Sequence, residues 1–182
     1  MDTKEKFSTI TVTLHWLIAI SMISLLAVGF YMTTAEVWSL YPIHKTFGVV
    51  VFIVAILRIL WRIKNGWPQP ASNYASWEHK LAVVSHWVLI TGTIVMPLSG
   101  FIFSGAGGYG VEFFGLELAP ANHNPEDPTK VMPYNAALSD AGHEVHEIAG
   151  FVIAVTIALH IAGALKHHFI DRDRTLLRMF GK

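Results

Sequence analysis

Along the chain, long apolar runs alternate with short polar breaks. Four runs stand out, at residues 10–32, 44–63, 81–103 and 144–165. Each has the length of a helix that crosses roughly 30 Å of hydrocarbon, which takes about 20 residues. Arg58 and Arg62 interrupt the second run, yet it remains long enough to span when the guanidiniums snorkel or find partners. The first run is longer than the apolar stretch of a secretory signal and no A-x-A cleavage site follows it, so it reads as a retained span. The pattern predicts an all-α fold: an integral membrane four-helix bundle, a single transmembrane domain over residues 1–182, with one sizeable extramembrane loop at 104–143.

Composition sharpens this. Apolar residues make up 53% of the 182 and charged residues 14%, with a mean hydropathy of +0.46; such a chain belongs in lipid. The formal net charge is zero, so no overall basic field points to nucleic acid. There is no cysteine. That excludes disulfides, iron–sulfur clusters, thiolate zinc sites and covalently attached c-type haem, so any haem must be held non-covalently. If the four spans alternate, Lys4, Lys6, Arg58, Arg62, Lys64, Lys80, Lys166, Arg172, Arg174, Arg178 and Lys182 fall on one side and only Lys45 and Lys130 on the other. By the positive-inside rule both termini are cytoplasmic and the 104–143 loop is outside. That loop begins with "GAGGYG", whose Gly105, Gly107 and Gly110 match G-x-G-x-x-G. A dinucleotide fingerprint needs a preceding strand in a βαβ unit; here the glycines are expected to end a membrane helix.

The histidines carry the chemistry. "HEIAGFVIAVTIALH" places His146 and His160 fourteen residues apart in an almost wholly apolar run, and an unpaired polar group in hydrocarbon costs several kcal/mol. Fourteen residues rise about 21 Å and return to within roughly 40° of the same face, so the two rings point one way at opposite depths. His15 lies in the cytoplasmic half of a helix running outward and matches His160. His44 opens a helix running inward and matches His146. Two imidazoles at one depth are what bis-histidine haem b ligation requires; the alternative is four separate histidines, each hydrogen-bonded in its own polar pocket.

Small residues stand one turn after each of these histidines, at Ala19, Gly48, Gly150 and Ala164. They leave room for a macrocycle, although they also serve ordinary helix packing in membranes. The fourteen-residue step links His15 to Gly29, His44 to Arg58 and His86 to Gly100. Gly29 and Gly100 are thereby expected at the outer haem, and Arg58 at the inner one with Arg62 a turn below. Haem propionates are the anions available to such arginines; for Arg62, snorkelling is the competing reading.

The "LHW" at His15, the "IHK" at His44, the His146–His160 spacing and the tail "LKHHFIDRDRTLLRM" together resemble the bacterial cytochrome b561 family over essentially the whole chain. The resemblance implies a four-helix electron carrier of the bacterial inner membrane with two haems b, whose iron ligands match His15, His44, His146 and His160. The family includes a superoxide oxidase that passes electrons from superoxide outside to ubiquinone in the membrane. Related cytochromes serve as membrane subunits of dehydrogenases and hydrogenases, so an electron-transferring anchor for a partner redox protein is the alternative function.

Two six-coordinate haems leave electron transfer as the chemistry. On the inner side, His167 lies seven residues beyond His160 on the same face, beside Lys166 and His168, with His86 expected at a similar depth. Histidines near their intrinsic pKa can relay the protons that quinone reduction consumes. This cluster is the candidate ubiquinone site; a basic cluster that merely anchors the helix end is the other reading, and His86 could equally be a core histidine near the inner haem. On the outer side, Glu36, Glu112, Glu117, Glu126, Asp127, Asp140, Glu144 and Glu147 outnumber Lys45 and Lys130. Superoxide is an anion and would be steered by positive potential. A local funnel at Lys45 could supply it, but a cationic periplasmic redox protein is an equally good donor by charge. A surface metal site of His143, Glu144, His146 and Glu147 is a further, weaker reading.

Overall fold

The computed structural model describes residues 2, 3, 5–68, 70, 71 and 74–182; Lys4, counted above among the basic residues, lies outside them. Four long helices dominate: α1 (Thr9–Thr34), α2 (Tyr41–Asn65), α3 (Ser76–Ala106) and α4 (Ala136–Phe169). All four are long and apolar enough to cross a membrane. A 3-10 turn at Trp38–Leu40 joins α1 to α2, and a four-residue helix α5 (Thr175–Arg178) follows α4.

The helix ends have local causes. The Ser8 hydroxyl accepts from the Thr11 amide and opens α1, Pro42 sits in the first turn of α2, and the Asn135 side chain accepts from Leu138 N at 3.0 Å to open α4. These are side chains that satisfy orphan amides or need none. Because Asn135 supplies a cap, α4 starts two turns before the apolar run that hydropathy marks.

The surface is that of a membrane protein. Few large apolar side chains are buried, while Ile20, Leu57, Ile63, Val84, Ile148, Phe151 and Val155 are among many left exposed along the helices. Conversely, several of the buried side chains carry hydroxyls. Thr93 donates to Ile90 O, Ser99 to Met96 O and Thr156 to Val152 O, at 2.7–2.9 Å. Back-bonding to the helix's own carbonyls is how a hydroxyl is satisfied away from water.

The tightest helix pair is α3 with α4, and glycine makes it so. A Cβ on Gly92 would sit 2.8 Å from Ile153 Cγ1, and one on Gly142 would sit 2.8 Å from Phe103 N. Backbones can approach this closely only where a side chain is missing. The buried apolar core is a thin layer of Met22, Leu26, Val51 and Ile153, flanked by Leu89, Met96 and Ala149. Ile153 lies seven residues from both His146 and His160, so this layer separates the two histidine depths.

The 104–143 segment is not a plain loop. It holds an antiparallel hairpin, β1 (Tyr109–Phe113) and β2 (Leu116–Ala121), in which Val111 faces Ala119, Glu112 faces Glu117 and Phe113 faces Leu116. The all-α expectation omitted it. Its turn is Phe114-Gly115, both with positive φ (48° and 86°), the backbone that two-residue hairpins require. The usual Asn-Gly signal is absent, which is why the turn was hidden. Val111 is buried at 3% exposure. Lys45 donates to the carbonyls of Tyr109 (3.2 Å) and Gly110 (2.6 Å), which fastens the hairpin across the start of α2. In "GAGGYG", Gly105 lies in the last turn of α3, Gly107 closes the helix by donating to Phe103 O, and Gly110 is in β1. The strand follows the helix, so no dinucleotide fold is formed.

Asp2 and the segment after α4 lie at the end of the bundle away from the hairpin. Asp2 pairs with Arg62 at 2.9 Å, the Trp16 indole donates to Met179 O at 2.7 Å, and the Arg178 guanidinium lies 4.1 Å above the Phe7 ring. We refer below to the hairpin end and the tail end. Gly92→Val is expected to push α3 from α4 and lower the thermal unfolding midpoint in detergent, whereas Gly163→Ala, where a Cβ meets nothing within 4 Å, should leave it unchanged.

Candidate functional site

The histidines gather in two places. At the hairpin end the rings of His44 (α2) and His146 (α4) are 6.2 Å apart, centre to centre; at the tail end those of His15 (α1) and His160 (α4) are 6.3 Å apart. A metal–imidazole bond is about 2 Å and the ring centre lies about 1 Å behind its nitrogen, so two rings on one metal are about 6 Å apart. Both pairs have that spacing, and α4 contributes one ring to each.

The His146 ring is held in a definite tautomer. Its Nδ1 lies 2.8 Å from Met96 O, and a carbonyl can only accept, so Nδ1 carries the proton and Nε2 keeps its lone pair. This is the arrangement of a metal-binding histidine whose second nitrogen is fixed by a backbone carbonyl. The Ser99 hydroxyl is 3.3 Å from the same nitrogen. Gly100 provides the cradle: a Cβ there would sit 2.9 Å from His146 Cε1. Gly29 stands opposite, where a Cβ would be 3.4 Å from His44 Cε1. Gly48, His44 and His146 line a cavity with Met22, Leu25, Leu26, Val51, Met96 and Pro97, while Gly150 packs near Met96 Cε. Nδ1 of His44 is buried without a hydrogen-bond partner. Donor set, spacing and cradle all fit a haem between α2 and α4.

The tail-end pair has different neighbours. Arg58 Nη2 is 3.4 Å from His15 Nδ1, so this guanidinium does reach the tail-end depth and faces the bundle interior. Arg62 is engaged elsewhere. It donates to Asp2 at 2.9 Å, and Asp2 also receives the Ser8 amide at 2.8 Å and the Thr11 hydroxyl at 2.9 Å. The Trp61 indole in turn donates to Thr11 at 2.8 Å. His86 is closer to the iron-binding candidates than to the tail: its ring is 5.4 Å from that of His160.

Lys166 and His167 do come together, with partners that sequence alone did not single out. Lys166 Nζ bonds Glu78 at 2.5 Å and Asp171 at 2.8 Å. His167 Nδ1 lies 2.8 Å from Asp171 and 3.1 Å from Asp173, off the line of a good hydrogen bond, and its ring is 4.5 Å from that of Tyr74. His168 sets its ring edge-on to Phe169 at 4.8 Å. The "IDRDR" acids were visible in the sequence, but only the turn after α4 folds them back on His167. That trio could in principle hold a cation, but Lys166 already supplies positive charge to Asp171. His143 packs on Phe103 at 4.7 Å while His146 turns inward, so the surface metal site of the sequence reading is not assembled.

At the hairpin end both lysines are occupied. Lys45 is half-buried on the carbonyls of β1, and Lys130 pairs with Asp127 at 3.0 Å. Glu36, Glu112, Glu117, Glu126, Asp140, Glu144 and Glu147 are exposed around them. Lys45 thus spends two of its three N–H donors on the hairpin, while the surrounding acids set the sign of this face.

Four membrane-capable helices with histidines paired at two depths describe a membrane cytochrome. The chain belongs to the prokaryotic cytochrome b561 family, whose model matches residues 6–182. It is similar to cytochrome b561 homolog 2 of Escherichia coli (strain K12), 29% identical over all of this chain and 94% of that protein. It is likewise similar to the probable superoxide oxidase CybB of Yersinia pestis, 27% identical over 98% of this chain and 97% of that one. Cytochrome b561 homolog 1 of Escherichia coli (strain K12) is 26% identical over 96% and 97%. Membership implies a haem b cofactor, a bacterial membrane setting and the work of an oxidoreductase or electron-transfer cytochrome.

Burial pushes the Asp2 carboxyl up, but hydrogen bonds from the Ser8 amide and hydroxyl, Thr11 and Arg62 outweigh it and hold the group below its ordinary 3.8. A depressed carboxyl stabilises the fold above the unfolded-chain value and loses that contribution as pH falls through the lower folded one. Acidification below about pH 4 should therefore loosen the N-terminal segment, seen as lower amide protection factors at Ser8 and Thr11 once the intrinsic rate at each pH is divided out, and Asp2→Asn should show the same loss of protection already at pH 7.

Proposed function

We propose that the chain carries electrons through the inner membrane between a donor at the hairpin end, outside, and ubiquinone at the tail end, inside, by means of two haems b. His44 and His146 would hold one and His15 and His160 the other. The observation that carries this is the repeated pair: two histidine couples, each at ligand spacing, set one fourteen-residue step apart. Haem b, when bound, supplies a one-electron centre at each depth.

The protein's own residues then have distinct tasks. Met96 O, Ser99 and Gly100 orient His146; Gly29 and Gly48 keep space beside His44. A histidine that ligates through Nε2 keeps its proton on Nδ1, and a guanidinium has no acceptor to offer it. Arg58 must therefore turn from His15 toward an anion when the site is filled, and a haem propionate is the anion available. Its positive charge favours the reduced state of the tail-end centre. Arg62 serves the N-terminal clasp through Asp2. Quinone reduction takes two electrons and two protons; His167, backed by Asp171 and Asp173 and next to Tyr74, is placed to hand over protons, with Lys166 and, less directly, His168 forming the basic rim. His86, beside His160, belongs with the tail-end haem surroundings and can line the way to the quinone.

Deletion of ligands tests the pairing. Wild type should bind two haems per chain, and His15→Ala and His44→Ala should each lose one, a different one in each case, by pyridine haemochrome assay and redox titration; full haem content in both variants would refute the assignment. A second variant tests the exit. His167→Leu should slow reoxidation of the reduced protein by ubiquinone by about 10²-fold, the low end of general acid–base contributions, while haem content stays at two. Reoxidation at the wild-type rate would place the exit elsewhere.

A further inference from the structure

The hairpin end carries eight acidic residues against two lysines, so the side chains of this face are negative in sum. At this same end the hairpin offers an apolar tip: Phe114 is 72% exposed and Leu116 61%. Glu112 and Glu117 lie directly opposite each other at the base of that tip. Like charges facing across a strand pair destabilise it, and nothing basic on the hairpin compensates them. An exposed aromatic and a leucine rimmed by charge of one sign have the anatomy of a protein interface, with an apolar centre and a polar rim.

The tip also has a direct mechanical link to the hairpin-end histidines. Lys45, which clamps β1 by its carbonyls, is the next residue after His44. The Thr46 hydroxyl lies 3.2 Å from Glu112 O. A partner seated on the hairpin therefore sits over the end of the bundle where His44 and His146 meet.

We infer that the hairpin Tyr109–Ala121 is the docking surface for a basic, soluble electron-transfer protein, with Phe114 and Leu116 as its apolar contact and Glu112 and Glu117 as its charged rim. The inference rests on electrons entering at this end and names the kind of donor. Charge decides among occupants. Superoxide would meet repulsion. A bilayer surface containing anionic lipid attracts basic segments rather than glutamates. A cationic protein gains from every exposed acid on the face.

The test uses the full-length protein in phosphatidylcholine nanodiscs, with ferricytochrome c as a basic protein probe and ferricyanide as an anionic one. The protein is first reduced with dithionite and freed of excess reductant; one electron then passes from it to the ferric iron of the probe, no proton moves, and no quinone is present, so a failed quinone site does not affect the result. Cosedimentation of cytochrome c with the nanodiscs reads docking without any haem in the chain, so it also survives failure of the haem assignment. Affinity and electron-transfer rate with cytochrome c should fall on the order of tenfold from low to physiological ionic strength, and the ferricyanide rate should rise. Phe114→Ser should weaken cytochrome c binding about fivefold at both ionic strengths, and Glu112→Gln with Glu117→Gln about threefold at low ionic strength only. Glu126→Gln, off the hairpin, should have a smaller effect. The inference is overturned if binding does not depend on salt, if Phe114→Ser binds normally, or if Glu126→Gln matches the double variant. Quenching of a Phe114→Trp variant by brominated lipid would overturn it too, because the tip would then lie in the bilayer.

Discussion

In hydrocarbon a nitrogen or oxygen that lacks a partner has no water to fall back on, and the arrangement of this bundle follows from that. The hydroxyls of Thr93, Ser99 and Thr156 bond the carbonyls of their own helices. The imidazoles cannot do this. One nitrogen of His146 is answered by Met96 O, and the ring centre lies 6.2 Å from that of His44. Between the two histidine depths the helices meet in the apolar layer of Met22, Leu26, Val51 and Ile153.

The same constraint separates the roles of the two arginines. Both interrupt the apolar run of α2 and look alike in a hydropathy profile. Arg62 is near enough to the membrane edge to take Asp2 from the N-terminal segment. Arg58, one turn deeper, finds only a histidine. Arg58 therefore stands beside the tail-end histidines, while Arg62 bears on the stability of the clasp.

The four helices, the sorting of His15 with His160 and of His44 with His146, and the approach of Arg58 to the tail-end pair were all legible in the sequence, because each depends only on helical period and depth. What was not legible depends on contacts between segments remote in sequence or on backbone with positive φ. The carbonyl that fixes His146 comes from Met96, fifty residues away. Asp171 and Asp173 reach His167 through a turn after α4 that no periodicity marks. The hairpin is closed by Phe114 in a conformation its side chain disfavours, so its turn carried no sequence signal. Lys45 illustrates the same limit for charge: its sign was plain, but its engagement by Tyr109 and Gly110 was not.

The layer of Met22, Leu26, Val51 and Ile153 has a consequence for bioenergetics. It is apolar, closely packed and without a titratable side chain, so it offers no file of water or acid groups along which a proton could follow an electron. An electron passed between the two histidine depths would cross it without a proton and would feel the share of the membrane voltage that falls across the layer, at most about 2.3 kcal/mol per 100 mV. Turnover should thus feel the membrane voltage, and a polar residue introduced at Ile153 would threaten the separation of electron and proton on which that sensitivity depends.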